Sequence, residues 1–191
     1  MRRILTFIAA ALLLAACKEQ PAQALPPPQE MTAEAIGRYC GMNVLEHPGP
    51  KGQIIVASRF DPFWFSSARD AIAFMLLPEE PKDVRAIYVS DMAKATSWDE
   101  PGAGNWVEAR KAWFVIGSSK RGGMGTEEAV PFSLRDAADR FAGENGGRVV
   151  AFAEIPRDYV LGHPNAGEGP ESGEGPEPAE PRAPKIPPPK S

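Results

Sequence analysis

Proline and the large apolar residues divide this chain between them, and that division most limits what it can fold into. Nine of its 21 prolines fall between His163 and Ser191, where Glu168, Glu171, Glu174, Glu177 and Glu180 recur at even spacing and apolar side chains are nearly absent. Such a stretch cannot bury enough surface to offset the entropy of ordering it, so residues 163–191 read as a disordered tail. Towards the other end, Pro21, Pro26, Pro27 and Pro28 make residues 17–30 an extended, disordered spacer. The residues left to build a core are 31–160, enough for one domain or two small ones.

Ahead of the spacer, Met1-Arg-Arg is followed by an apolar run from Ile4 to Leu14. Crossing a membrane takes about 20 apolar residues, so this run fits the hydrophobic part of a secretory signal, residues 1–16. It ends in Leu14-Ala15-Ala16-Cys17, which resembles the lipobox of bacterial lipoproteins. That resemblance implies lipidation of Cys17 and cleavage just before it. With Lys18 rather than Asp following, it implies the outer membrane as the anchoring site. The mature chain then has one free thiol, Cys40, in an oxidising compartment. A lone thiol there pairs between chains, reacts, binds metal, or is buried and inert.

Within the foldable part the pattern repeats. Ser67-Ala-Arg-Asp-Ala-Ile-Ala-Phe74 compares with Ser133-Leu-Arg-Asp-Ala-Ala-Asp-Arg-Phe141. Both open as a serine-capped helix, with Ala68, Ala71, Ile72 and Met75 in one and Leu134, Ala137, Ala138 and Phe141 in the other at helical spacing. Pro78 is expected to end the first helix and Gly143 the second. Short apolar runs flank each helix as strand candidates: 53–58, 63–65 and 84–89 around the first, 112–116, 129–132 and 148–153 around the second. The fold class is therefore α+β, two similar ββαβ units that suggest an internal duplication. The first unit covers residues 31–95. The link and the second unit cover 96–162, with a strand expected near Trp106.

Composition removes several functions. Lys plus Arg is 21 against 25 Asp plus Glu, a net charge of −4, which is not the footprint of a nucleic-acid binder. Two cysteines and two histidines in the whole chain exclude a disulfide scaffold, a four-thiolate zinc site and an all-histidine centre. No nucleotide loop, paired-histidine zinc motif or nucleophile elbow occurs.

What stands out is sulfur. Tyr39-Cys40-Gly41-Met42 sets a thiol and a thioether two residues apart, and Gly122-Gly123-Met124-Gly125 displays a methionine on a segment too rich in glycine to be helix or strand. Soft ligands of this kind select Cu(I), although Ag(I) and Hg(II) favour the same donors. Sulfurs sharing a metal lie within roughly 4.6 Å of each other. Residues i and i+2 of an extended chain are about 6.6–6.8 Å apart, so a bend at Gly41 is needed for Cys40 and Met42 to act together. His47, within His47-Pro48-Gly49-Pro50, is a possible extra metal ligand, with a plain turn histidine as the competing reading. His163, at the start of the tail, is given no role. Met75 reads as core, Met31 and Met92 as surface or packing, and the four tryptophans as core or inter-unit packing.

Cys40-Gly41-Met42, the run from His47 to Gln53, Gly117-Ser118, and Gly123-Met124-Gly125 ahead of Pro131-Phe132 together resemble the NosL family of lipoprotein copper chaperones for nitrous oxide reductase. The resemblance covers about residues 31–156. It implies a periplasmic, non-enzymatic Cu(I) carrier that uses Cys40 and Met124, with Met42 a plausible third ligand. It also implies apo nitrous oxide reductase and an ABC-type maturation complex of denitrification as partners. Two other readings stand beside it. One is a thiol enzyme with Cys40 as nucleophile and His47 as base. The other is an interaction lipoprotein whose thiol is incidental.

Overall fold

A computed structural model of the chain describes residues 24–162. The signal segment, Cys17 and the tail from His163 onward lie outside the described residues. Two antiparallel sheets organise the rest. The first has the order β2-β1-β3-β4, from β1 (Gly52–Val56), β2 (Phe63–Phe65), β3 (Val84–Ser90) and β4 (Trp106–Glu108), with helix α1 (Ala68–Leu76) between β2 and β3. The second has the order β6-β5-β7, from β5 (Trp113–Ile116), β6 (Val130–Phe132) and β7 (Arg148–Ala151), with helix α2 (Arg135–Asn145) before β7. In both sheets the opening strand sits between its hairpin partner and the strand that follows the helix. The expected ββαβ order is thus present in each unit, with β4 of the link joined to the first sheet through Tyr88↔Glu108 and Val89↔Val107.

Local chemistry explains most boundaries. The β1 sequence Gly-Gln-Ile-Ile-Val is buried along its whole length, as suits a central strand rich in β-branched residues. Ser67 caps α1, its side chain accepting the Asp70 N–H at 3.3 Å, and α1 stops just ahead of Pro78. The second helix departs from expectation at both ends. Ser133 does not cap it: α2 has no side-chain cap, and the Ser133 N–H donates instead to Asp91 Oδ1 at 2.9 Å. Nor does Gly143 end it. The helix runs on to Asn145 and stops at Gly146, whose φ of +75° is a backbone conformation that favours glycine.

A third helix, α3 (Arg157–Leu161), follows directly on Pro156 and has no counterpart in the repeat pattern. Its Arg157 donates to the Leu76 carbonyl at 3.0 Å, and the Arg69 side chain of α1 donates to the Val160 carbonyl at 3.1 Å. The end of the second unit is thereby fastened to the helix of the first.

The two units share one core. Ile54, Phe65, Phe74 and Ile87 of the first form a single buried cluster with Phe114, Ile116, Ala129 and Val150 of the second. Full burial of such a side chain is worth about 1.5–3 kcal/mol, so neither unit is complete alone. Trp98 of the link stacks on Phe141 at 6.2 Å and accepts the Gly49 N–H on its carbonyl at 2.7 Å, spanning both units as inter-unit packing. Met31 lies buried with Ala35 and Val44. The spacer is also less free than its composition implies. Gln29 and Gln53 exchange two 2.8 Å hydrogen bonds, and the Tyr88 hydroxyl donates to the Pro26 carbonyl at 2.7 Å. Glutamine and tyrosine side chains supply the backbone partners that a proline-rich stretch cannot provide for itself.

Candidate metal centre

The Cys-Gly-Met segment forms a small hairpin. Ile36 bridges Asn43 in antiparallel fashion, the Gly37 N–H donates to the Met42 carbonyl at 2.9 Å and the Gly41 N–H to the Gly37 carbonyl at 2.9 Å. Gly41 takes φ of +67°, which supplies the required bend. The thiol occupies space that only glycine leaves open, since a Cβ at Gly37 would sit 2.5 Å from Cys40 Sγ. The hairpin is held to β2 by a 2.7 Å hydrogen bond from the Arg38 N–H to the Trp64 carbonyl. Tyr39 packs edge-on against Phe65, ring centres 5.4 Å apart, and Arg38 pairs with Glu80 at 3.1 Å.

From Asn43 the chain turns back towards the thiol. The Asn43 side chain accepts the Leu45 N–H at 2.9 Å and caps a 3-10 turn, Val44–Glu46, that delivers His47. His47 Nε2 lies 4.0 Å from Cys40 Sγ. Its Nδ1 lies 3.1 Å from the Gly123 carbonyl oxygen, which can only accept. Nδ1 therefore carries the proton and donates, and the Nε2 lone pair faces the thiol. A backbone carbonyl fixing one ring nitrogen so that the other can bind metal is a common second-layer arrangement around metal-binding histidines.

Met124 sits one residue beyond that carbonyl. Its hairpin is closed by an Arg121↔Glu127 bridge and by hydrogen bonds from Gly122 to the Thr126 carbonyl, 2.9 Å, and from Gly125 to the Gly122 carbonyl, 2.8 Å. A Cβ at Gly123 would lie 2.6 Å from the Ser66 carbonyl and 2.7 Å from His47 Cβ, so glycine there is what allows the hairpin to reach His47. Met124 is 48% exposed and Met42 41%; neither is packed away as core. His47 is thus the joint between the Cys40 hairpin and the Met124 hairpin, a role that its position in a proline-rich turn did not reveal.

Metal bonds of about 2.3 Å to a thiolate and 2.0–2.1 Å to an imidazole nitrogen sum to about 4.3–4.4 Å. The 4.0 Å between Cys40 and His47 falls inside that limit, so one bent sulfur–metal–nitrogen link fits with little movement. No group of three His, Cys, Asp or Glu side chains able to hold a metal occurs among the described residues, and the exposed thioethers of Met42 and Met124 are the soft side chains left near this pair. One thiolate, one imidazole and exposed thioethers suit Cu(I) better than a hard or borderline cation.

Two buried ionisable side chains that sequence reasoning missed lie just behind these loops. Lys51 is buried and donates from Nζ to the Pro48 carbonyl at 3.2 Å and to that of Gly49. Burial pulls its pKa down to about 8, against an opposing attraction to Glu128. Glu128 is 1% exposed, and burial pushes its pKa up to about 7 in spite of hydrogen bonds from backbone N–H groups. Lysine and glutamate in turn-like segments normally read as solvated, and the only hint of burial was the apolar run Ala129–Phe132 beside Glu128. A cavity of about 720 Å³, lined by Arg69, Gly117, Arg148 and Tyr159 among others, contains none of the sulfur donors.

Comparison with known proteins identifies relatives across the described fold. A sequence model of the NosL family matches residues 28–160. The chain is 50% identical over 174 residues to the copper-binding lipoprotein NosL of Achromobacter cycloclastes, covering 89% of this chain and 90% of that protein. It is 33% identical over 138 residues to the copper-binding lipoprotein NosL of Stutzerimonas stutzeri, covering 72% of this chain and 70% of that one. The crystal structure of the copper chaperone NosL from Shewanella denitrificans superimposes with a TM-score of 0.64 at 36% identity, over 69% of this chain and 98% of that one. None of these names is that of an enzyme.

Proposed function

The chain belongs to the NosL family, and on that premise we propose that it is a lipid-anchored copper carrier. It binds one Cu(I) through Cys40 and Met124, with His47 as a further ligand and Met42 at the rim. It passes the metal to apo nitrous oxide reductase as the copper centre of that enzyme is assembled, in concert with an ABC-type maturation complex. Lipid on Cys17 holds it at the periplasmic face of a membrane, and Lys18 favours the outer one.

The observation that carries this reading is the position of His47, 4.0 Å from Cys40 Sγ at one ring nitrogen and 3.1 Å from the Gly123 carbonyl at the other. Three donor-bearing segments meet there at the surface. A metal held on one side by the protein and open on the other can take a ligand from a recipient before it loses its own, so transfer proceeds by ligand exchange with no covalent step. Thioethers suit a carrier because they bind without losing a proton and leave without needing one back.

Competition with a Cu(I) chelator tests the assignment. Cys40→Ala combined with Met124→Ala is expected to weaken Cu(I) binding by at least about a hundredfold, at the upper end of what single outer-shell changes cost metal sites. Unchanged affinity in that double variant would sink the proposal.

A further inference from the structure

The donor set draws on both units, so something must hold them in register at the point where they meet. We infer that Glu128 is the positioning residue for the Met124 hairpin, fastening it to the first unit's helix. The inference rests on the reading of Met124 as a copper ligand.

Glu128 belongs to the second unit, yet its Oε1 accepts the N–H of Arg69 in the first turn of α1 at 2.8 Å, as well as the Ala129 N–H at 2.9 Å. A carboxylate is well placed there, because the N-terminus of a helix presents unpaired N–H groups and partial positive charge. Oε2 points the other way. It lies beside the Ser67 hydroxyl without a hydrogen bond of good geometry, and it faces Gly122 so closely that a Cβ at that residue would collide with it. The base of the Met124 hairpin therefore rests on one oxygen of a carboxylate whose other oxygen is tied to α1. The next residue, Gly123, rests on the carbonyl of Ser66, just ahead of the same helix.

The opposite wall is built in a matching way. Lys51 gathers the Pro48 and Gly49 carbonyls behind His47, and it attracts Glu128. The two buried charges thus stand behind the two turns that touch at His47 and Gly123. A carboxyl held at about 7 by desolvation bears a cost that an apolar wedge of equal volume would not. The two N–H groups that it accepts offset part of that cost, and the contact with Gly122 gives it a place in the site's geometry.

Glu128→Gln keeps an oxygen for Arg69 and Ala129. It places an NH2 group where Oε2 faces Gly122, and it removes the attraction to Lys51. In the full chain loaded with Cu(I), chelator competition and copper-edge X-ray absorption would be measured for the wild type, Glu128→Gln, Met124→Ala and the double variant. The expected result is about a tenfold loss of affinity in Glu128→Gln and one fewer sulfur around copper, as in Met124→Ala. The double variant should be no weaker than Met124→Ala alone, because both changes remove the same ligand. If Met124→Ala lowers affinity and sulfur count while Glu128→Gln changes neither, the positioning role is wrong and the ligand assignment stands. If Met124→Ala changes neither, the ligand assignment fails and takes this inference with it. Should Glu128→Gln not fold, Gly122→Ala presses on the same contact from the other side; it is expected to cost the same sulfur, and a wild-type spectrum would overturn the proposal.

Discussion

The two ββαβ units have the same strand order and differ in their connections. In the first, β1 and β2 are joined by residues 57–62. In the second, β5 and β6 are joined by residues 117–129, and the extra length carries the Met124 hairpin, with Glu128 at its foot. The first unit compensates upstream, with the 36–47 hairpin and turn that bring Cys40 to His47. The common scaffold supplies rigid edges, and each unit adds one irregular segment to a shared site. Binding chemistry placed on loops over a rigid framework is the usual division of labour; in the proposed site Met124 comes from the second unit and the other donors from the first.

The comparison can be broken first at the core. Phe114 belongs to the second unit and is fully buried in the cluster that it shares with the first. Phe114→Ala is expected to cost about 3–5 kcal/mol and to lower a single melting transition for the whole molecule. A first-unit transition that stayed in place would show two independent modules. A smaller effect is expected at the connections. Replacing residues 119–127 by a turn as short as residues 57–62 should leave both sheets intact by circular dichroism. It should weaken Cu(I) binding about 10- to 100-fold, a range typical of disturbed metal surroundings. Retained affinity would mean that the longer connection is not part of the site. The smallest effect separates the two helix starts. Ser67→Ala should destabilise the protein by about 1 kcal/mol, as loss of a helix cap does. Ser133→Ala should cost less, because α2 has no side-chain cap to lose and the Ser133 backbone N–H keeps its bond to Asp91. Equal losses in urea unfolding would overturn the contrast.

The repeat was legible because alternation, helical spacing and proline act within a few residues. That is why Phe63–Phe65 and the strands near Val84 and Trp106 fall where the pattern puts them. The failures share a cause. Ser133 has the same neighbours as Ser67 but gives its N–H to Asp91, a residue of the other unit. Helix α3 is short and is held by Arg69, Arg157 and Leu76 rather than by any pattern of its own. Residues 26–29 look like free spacer until Gln53 and Tyr88 are placed beside them.

The same line runs through the site. Residue type alone pointed to soft-donor chemistry: a Cys-Gly-Met segment, a methionine among glycines and few histidines. Local sequence also determined the bend at Gly41 and the irregular, glycine-rich segment that bears Met124. Tertiary structure alone decided that His47 stands between them, in contact with a carbonyl 76 positions away, and that Lys51 and Glu128 are buried behind it. Those relations depend on two sheets closing over one core, and the distance between residues far apart in the chain is set by that packing, on which their own neighbours carry no information.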